Sequence, residues 1–245
     1  PDRSVIAVDE SGNAPALPQS SMAAAGDKPA KMIDVEFIRL HPLEIIAHSQ
    51  IPLPGVIPVL AQGVLELLSG PHNRWIVNIQ PFQGTARQLV TMQSFCKPGL
   101  KAITGDIFLA MMCPKAHEMV YRAYDLQGIL LWQMPFPADH FLPRFILTKD
   151  GAHFAIEALH LTHPVAALDP LTREDVDGLV IDVYDTLTGI SIGSLRTTPI
   201  YTAGEKAAFS PDGTRLAVLR NGAFEIYMWQ ELAKNRRQTG GASTQ

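Results

Sequence analysis

Pro211-Asp212-Gly213-Thr214-Arg215-Leu216-Ala217-Val218 is a tight turn feeding an apolar strand, and the chain writes this phrase three times. Pro1-Asp2-Arg3-Ser4-Val5-Ile6-Ala7-Val8 aligns with it without a gap, and Lys149-Asp150-Gly151-Ala152-His153-Phe154-Ala155-Ile156 is the third copy. Recurrence of one turn-plus-strand phrase marks a repeat architecture, in which each unit buries its apolar face against its neighbours. Because the first copy opens the chain, the sequence is expected to begin inside a repeat, with further units upstream.

A second pattern follows the phrase. Val180-Ile181-Asp182-Val183-Tyr184-Asp185 alternates apolar with polar residues, the period-2 signal of a half-buried strand. It turns through Thr186-Leu187-Thr188-Gly189 into Ile190-Ser191-Ile192-Gly193-Ser194-Leu195. Met119-Val120-Tyr121-Arg122-Ala123-Tyr124-Asp125 does the same, turning at Gln127-Gly128 into a strand over 129–134. A looser copy runs from Trp75 to Phe82, turns at Gln83-Gly84 and resumes at Arg87. Asp and Gly have separate tasks in these turns. The Asp carboxylate accepts from backbone two residues on, and Gly takes the positive φ that closes a hairpin.

Each unit therefore reads as a four-stranded antiparallel meander. In the clearest, strands a to d are expected over 143–147, 153–159, 179–184 and 191–196. The last unit has strands over 205–210, 215–219 and 224–229 and no fourth. Phe209-Ser210-Pro211-Asp212-Gly213, then Leu216-Ala217-Val218 and Ile226-Tyr227, resembles the blade signature of tryptophan–aspartate-type and TolB-like β-propellers. The resemblance spans residues 64–229 and the opening eight. It implies an all-β propeller of four-stranded antiparallel blades. Either the opening Val5–Val8 strand pairs with the last unit and closes a small ring, or the propeller is a larger one of about six to eight blades and the chain is incomplete at its N-terminus. The start at Pro1, inside the phrase, favours the second. About four blades and part of a fifth are expected over 1–231, with a polar tail over 232–245. First and last phrases lie 210 residues apart (211 − 1), or about 52 per unit, against roughly 40–50 for a standard blade. The excess is assigned to two insertions between strands b and c: the Ala/Pro-rich stretch 13–31, read as mobile, and 160–178. Thr172-Arg173-Glu174-Asp175 in the second is suited to capping a short helical turn. The chain departs from the strict tryptophan–aspartate repeat, with no Gly-His before its blades and no Trp-Asp pair ending them.

Composition narrows the partners. Twenty Lys and Arg against 24 Asp and Glu give a net charge of −4, without the basic footprint that nucleic acid requires. No apolar run approaches the roughly 20 residues of a spanning helix. Cys96 and Cys113, 17 apart, fit the two sides of a strand–turn–strand unit. They read either as a disulfide, implying an oxidising compartment, or as two buried thiols.

Candidate chemistry is sparse. Gly189-Ile190-Ser191-Ile192-Gly193 matches the G-x-S-x-G nucleophile elbow, but that serine must sit between a strand and a helix. Residues 193–199 cannot form the helix, so the match reads as hairpin chemistry. His160, His163 and Asp169 are candidate binding residues in the second insertion, and their types can ligate a metal. Pro164 disfavours the helical turn that would align the two histidines, and loop-pinning hydrogen bonds need the same groups. Glu157 and Asp182, on neighbouring strands, are either a carboxylate pair or two separate ladder positions. Trp75, Trp132 and Trp229 are read as packing between blades. No Gly-rich phosphate loop is present, and no cofactor or metal is expected.

The expectation is a non-enzymatic binding or scaffold module that meets a protein partner through the two b–c insertions on one propeller face. The alternative is an enzyme or electron-transfer subunit with a funnel site completed by upstream blades. The possible disulfide and the TolB-like blades lean toward an extracytoplasmic bacterial setting.

Overall fold

A computed structural model describes residues 5–9, 31–53, 58–116, 118–164, 171–197, 207–220 and 222–228. Every regular element among them is a β-strand, arranged in five antiparallel sheets whose strands pair in chain order. The first sheet holds β1 (Val5–Asp9), β2 (Lys31–Leu40) and β3 (Leu43–Leu53). The second is β4 (Val59–Leu60), β5 (Gly63–Ser69), β6 (Arg74–Pro81) and β7 (Arg87–Gln93). The third is β8 (Gly99–Ala102), β9 (Ile107–Lys115), β10 (Glu118–Asp125) and β11 (Leu130–Pro135). The fourth is β12 (His140–Leu147), β13 (His153–Leu161), β14 (Val176–Asp185) and β15 (Ser191–Thr197). The fifth is β16 (Ala207–Phe209), β17 (Arg215–Arg220) and β18 (Ala223–Met228). Up-and-down meanders of this kind, following one another along the chain, are the blades of the β-propeller class.

The repeated phrase is a hydrogen-bonding device. In the last copy the Gly213 N–H donates to Ser210 O at 2.9 Å, and the Thr214 N–H donates to the Asp212 carboxylate at 3.1 Å. The Ser210 hydroxyl accepts from Arg215 N–H at 3.0 Å, locking the strands on either side. The earlier copy has the same wiring. Gly151 N–H donates to Thr148 O at 3.1 Å, Ala152 N–H to Asp150 at 3.0 Å, and His153 N–H to the Thr148 hydroxyl at 3.0 Å. Gly151 and Gly213 have φ of 70° and 69°, the left-handed region that only Gly enters without strain. The c–d turns use a second device. Asp125 accepts from the N–H groups of Gln127 and Ile129, and Asp185 from the N–H and hydroxyl of Thr188.

The chain divides into two compact units, Pro1–Leu131 and Trp132–Gln245. In the first, Leu65, Val77, Ile79 and Met92 of the second sheet bury against Phe108, Ala110, Met112 and Val120 of the third. In the other, Ala155, Ile181, Val183 and Leu195 of the fourth sheet bury against Leu216 and Val218 of the fifth. Fully burying each large side chain contributes roughly 1.5–3 kcal/mol, so the sheets hold one another by their faces.

Three sheets have four strands and two have three among the described residues, where the sequence led us to expect about four complete units and part of a fifth. The first sheet is b–c–d in blade terms and the fifth is a–b–c. Strands β2 and β3, over 31–53, extend the blade pattern into a stretch to which sequence reading assigned no strands. Residues 13–30, Trp229 and the tail over 232–245 lie outside the described residues.

Candidate functional site

The second b–c insertion is the longest connection within unit 2 whose base is described. Strand β13 runs to Leu161 and β14 begins at Val176, in register with it, so His160 and Gly178 belong to the ladder and not to the loop. The loop proper is 162–175, with 165–170 outside the described residues, and Asp169 among these. Its base is closed by the Thr162 N–H, which donates to Asp175 O at 2.9 Å. Thr172 donates to the Asp175 carboxylate from both its N–H (2.7 Å) and its hydroxyl (2.6 Å). This is capping chemistry spent on a turn, since no helix forms here. The Thr172 hydroxyl bond is the main reason the Asp175 carboxyl sits below its ordinary range.

Beneath that base the register assembles a cluster. His140 of β12 pairs with His160 of β13, and their rings meet edge-on at 5.6 Å. His140 Nδ1 lies 2.8 Å from Asp139 Oδ1 and donates to it. His160 Nε2 lies 3.3 Å from the other Asp139 oxygen, and His160 Nδ1 lies 3.2 Å from Asp177 Oδ2. The Arg196 guanidinium from β15 bonds both Asp177 and the His160 ring. Burial pushes the Asp139 carboxyl up, but the His140 hydrogen bond and the adjacent histidine charges outweigh it and leave it below the carboxylate norm. His140 Nε2 is buried without a hydrogen bond, 3.9 Å from Asp182 Oδ2.

The cluster pins a loop. The Arg196 guanidinium contacts both His160 and Asp177, and a cation so placed disfavours a metal ion beside them. Among the described residues no group of three or more His, Cys, Asp or Glu is arranged to hold a metal. His160 and His163 are not brought together: His163 is 3.5 Å from Asp175 and hydrogen-bonded to Thr162, on the loop itself. Sequence reading missed Asp139, His140, Asp177 and Arg196. The only signal available was the pairing register, which sets His140 beside His160.

The other candidates resolve by geometry. Glu157 pairs with Ile181, and Asp182 pairs with Ile156, so the two carboxylates lie on opposite faces of the fourth sheet and form no pair. A period-2 strand puts consecutive ladder positions on alternate sides, which rules the pair out. Ser191 opens β15 directly after the Gly189 hairpin (φ 65°), strand to strand, without the helix an elbow needs. Trp75 donates to Ser94 O at 3.0 Å. Trp132 donates to Thr186 O at 2.8 Å and stacks on Phe154 at 5.7 Å, the packing role expected of it.

Cys96 and Cys113 are joined in a disulfide with Cα atoms 5.5 Å apart. Cys96 lies in the β7–β8 connection and Cys113 near the end of β9, so the bond encloses β8 and its turn. A buried Ser94 backs it: its hydroxyl donates to Cys96 O at 2.7 Å and accepts from Cys113 N–H at 2.9 Å. No helix among the described residues is long and apolar enough to cross a membrane, which leaves strand-built spans unaddressed.

No protein-family model matches this chain, and no curated protein does. Similar solved structures include uncharacterized protein lmo1340 from Listeria monocytogenes EGD-e (9% identity, TM-score 0.44, 71% of this chain and 53% of that one). Another is Kuenenia stuttgartiensis hydrazine synthase (11% identity, TM-score 0.46, 94% and 84%). A third is the β-propeller domain of the trilobed protease from Pyrococcus furiosus (8% identity, TM-score 0.45, 80% and 60%). The chain thus spans little more than half of the Listeria protein. Likeness this remote lends none of their activities or partners to this chain.

Proposed function

We propose that this chain is a non-enzymatic binding module whose contact surface is the β13–β14 loop and its anchored base. One observation carries the reading: a long loop springs from a base fixed by the Thr162–Asp175 bond and, below it, by Asp139, His140, His160, Asp177 and Arg196. A variable loop on a rigid scaffold is the usual carrier of recognition. The acidic and histidine side chains around the base are tied to one another, which suits support better than acid–base chemistry. The β1–β2 connection is the equivalent b–c step of its own sheet, and its residues 10–30 lie outside the described ones. We assign the partner to protein, since the net charge of −4 opposes nucleic acid, and the location to an oxidising extracytoplasmic compartment, on the disulfide.

The test replaces residues 163–171 with a short Gly-Ser linker between Thr162 and Thr172, leaving the Thr162–Asp175 and Thr172–Asp175 bonds in place. A partner is first identified by cross-linking to the parent chain, then its affinity for both purified chains is measured. Loss of binding by the linker variant supports the reading. Undiminished affinity refutes it.

A further inference from the structure

The two ring nitrogens of His140 are in unequal positions. Nδ1 donates to Asp139 Oδ1 at 2.8 Å, because an ionised carboxylate can only accept. In the neutral ring Nε2 is then a bare lone pair. It is buried without a hydrogen bond and faces Asp182 Oδ2 at 3.9 Å, acceptor against acceptor. A proton on Nε2 turns that opposition into a charge-assisted attraction. His160 has no such deficit. Its nitrogens lie 3.3 Å from Asp139 and 3.2 Å from Asp177, and the Arg196 guanidinium donates to the ring, so the neutral form is already satisfied. Around the two rings stand three carboxylates, Asp139 ahead of β12 and Asp177 and Asp182 on β14, against one cation, Arg196 on β15. His163 and Asp175 sit on the loop above, 3.5 Å apart. Carboxylate thus exceeds cation, and His140 can supply a second positive charge. Histidine ordinarily changes charge between about pH 5 and 8.

The same residues lead to the loop. The Asp139 C=O accepts from the Leu161 N–H at 2.7 Å, and the next residue, Thr162, closes the loop base on Asp175 O at 2.9 Å. His140, Asp139, Leu161 and Thr162 are therefore successive links. The segment carrying His140 is also strained. The β12–β13 register slips between Phe141 and Arg144, and Leu142 there has a φ of 50°. It is the one non-glycine residue at positive φ inside a strand among the described residues, and Pro143 after it favours extended backbone instead. Strain of this kind persists only where neighbours hold it. We propose that His140 is a proton-operated clasp on the β13–β14 loop: a proton on Nε2 draws Asp182 in and tightens the base, and its loss lets the base loosen. The consequence, pH-dependent presentation of the loop, rests on the reading of that loop as the contact surface.

The experiment is NMR of the full chain from about pH 5.5 to 8, following the His140 ring nitrogens and the exchange protection of the Leu161 and Thr162 amides, corrected for intrinsic rate. At the alkaline end His140 carries its proton on Nδ1 alone, and at the acid end on both nitrogens. Protection of the two amides rises at least about 10-fold toward acid with the same midpoint, the scale of one charge-assisted bond. His140→Gln abolishes the dependence. Asp182→Asn keeps protection high at every pH, since its amide donates to the unprotonated Nε2. Protection that does not follow the His140 titration overturns the proposal, as does a dependence that survives His140→Gln or vanishes in His163→Gln. Should His140→Gln not fold, the midpoints in the wild type decide alone. None of these readouts involves a partner. A partner indifferent to the loop refutes the binding module and leaves the clasp intact, whereas flat protection does the reverse.

Discussion

The disulfide permits a quantitative test of what holds the first unit together. Replacing both cysteines (Cys96→Ser with Cys113→Ser) frees a loop of 17 residues in the unfolded chain. The loop-closure relation, about −2.1 − 1.5R ln n cal/mol/K, gives roughly 10 cal/mol/K for that length, or about 3 kcal/mol at 25 °C. The folded side changes little, because the same connection is held independently. Ser94 bonds Cys96 O and Cys113 N–H, and the Phe95 N–H donates to Cys113 O at 2.8 Å. The loss therefore lies almost wholly in the unfolded ensemble.

Urea unfolding followed by tryptophan fluorescence is the assay, since Trp75 is bonded to Ser94 O beside the bridge. Unit 1 of the double variant should lose about 3 kcal/mol, which for a unit of this size lowers its melting midpoint by about 10 °C. Its denaturant slope should also rise, because an uncrosslinked chain exposes more surface when unfolded. Wild type in a dithiol reductant should reproduce both changes. A variant within about 0.5 kcal/mol of its parent would refute the chain-entropy reasoning and place the bridge's cost in the native state.

Two further predictions concern the turns. Gly189→Ala combines a φ of 65° with a Cβ placed 2.5 Å from Trp132 Cδ2, whereas Gly222→Ala has a φ of 78° and open space. The second should cost about 1 kcal/mol from backbone strain, and the first distinctly more, with a shifted Trp132 emission; equal costs in thermal melts would contradict the clash. The turn carboxylates Asp150, Asp185 and Asp212 all lie below their ordinary 3.8, chiefly through side-chain hydroxyls of Thr148, Thr188 and Ser210, and Asp212 reaches about 2. A depressed folded-state value means stability that is present above pH 3.8 and lost as pH falls toward 2. Acid titration by circular dichroism should show that loss, and Asp212→Asn should flatten its lower end; an unchanged profile would remove the turn bonds as its source.

The blades were legible because their chemistry is local. Ser210, Asp212 and Gly213 bond within a few residues of one another, as do Thr148, Asp150 and Gly151, so one phrase specifies one hairpin wherever it occurs. Strand 153–159 could be read from the phrase that opens it, and strand 179–184 from its period-2 alternation. Strands β2 and β3 escaped notice because no such phrase separates them and their turn is His41-Pro42. The cluster under the loop is a different case. Asp139 and His140 are about twenty residues from His160, and Arg196 is 36 beyond it, so only the lateral register unites them. A reading built on sameness between units finds what every blade shares. The fourth sheet differs from the fifth at Glu157, buried where Leu219 is exposed, and in a loop that β17–β18 lacks, shortened there to the turn at Gly222. What distinguishes one blade from the next is where binding has room to evolve, so the repeat that makes the fold readable also hides the site.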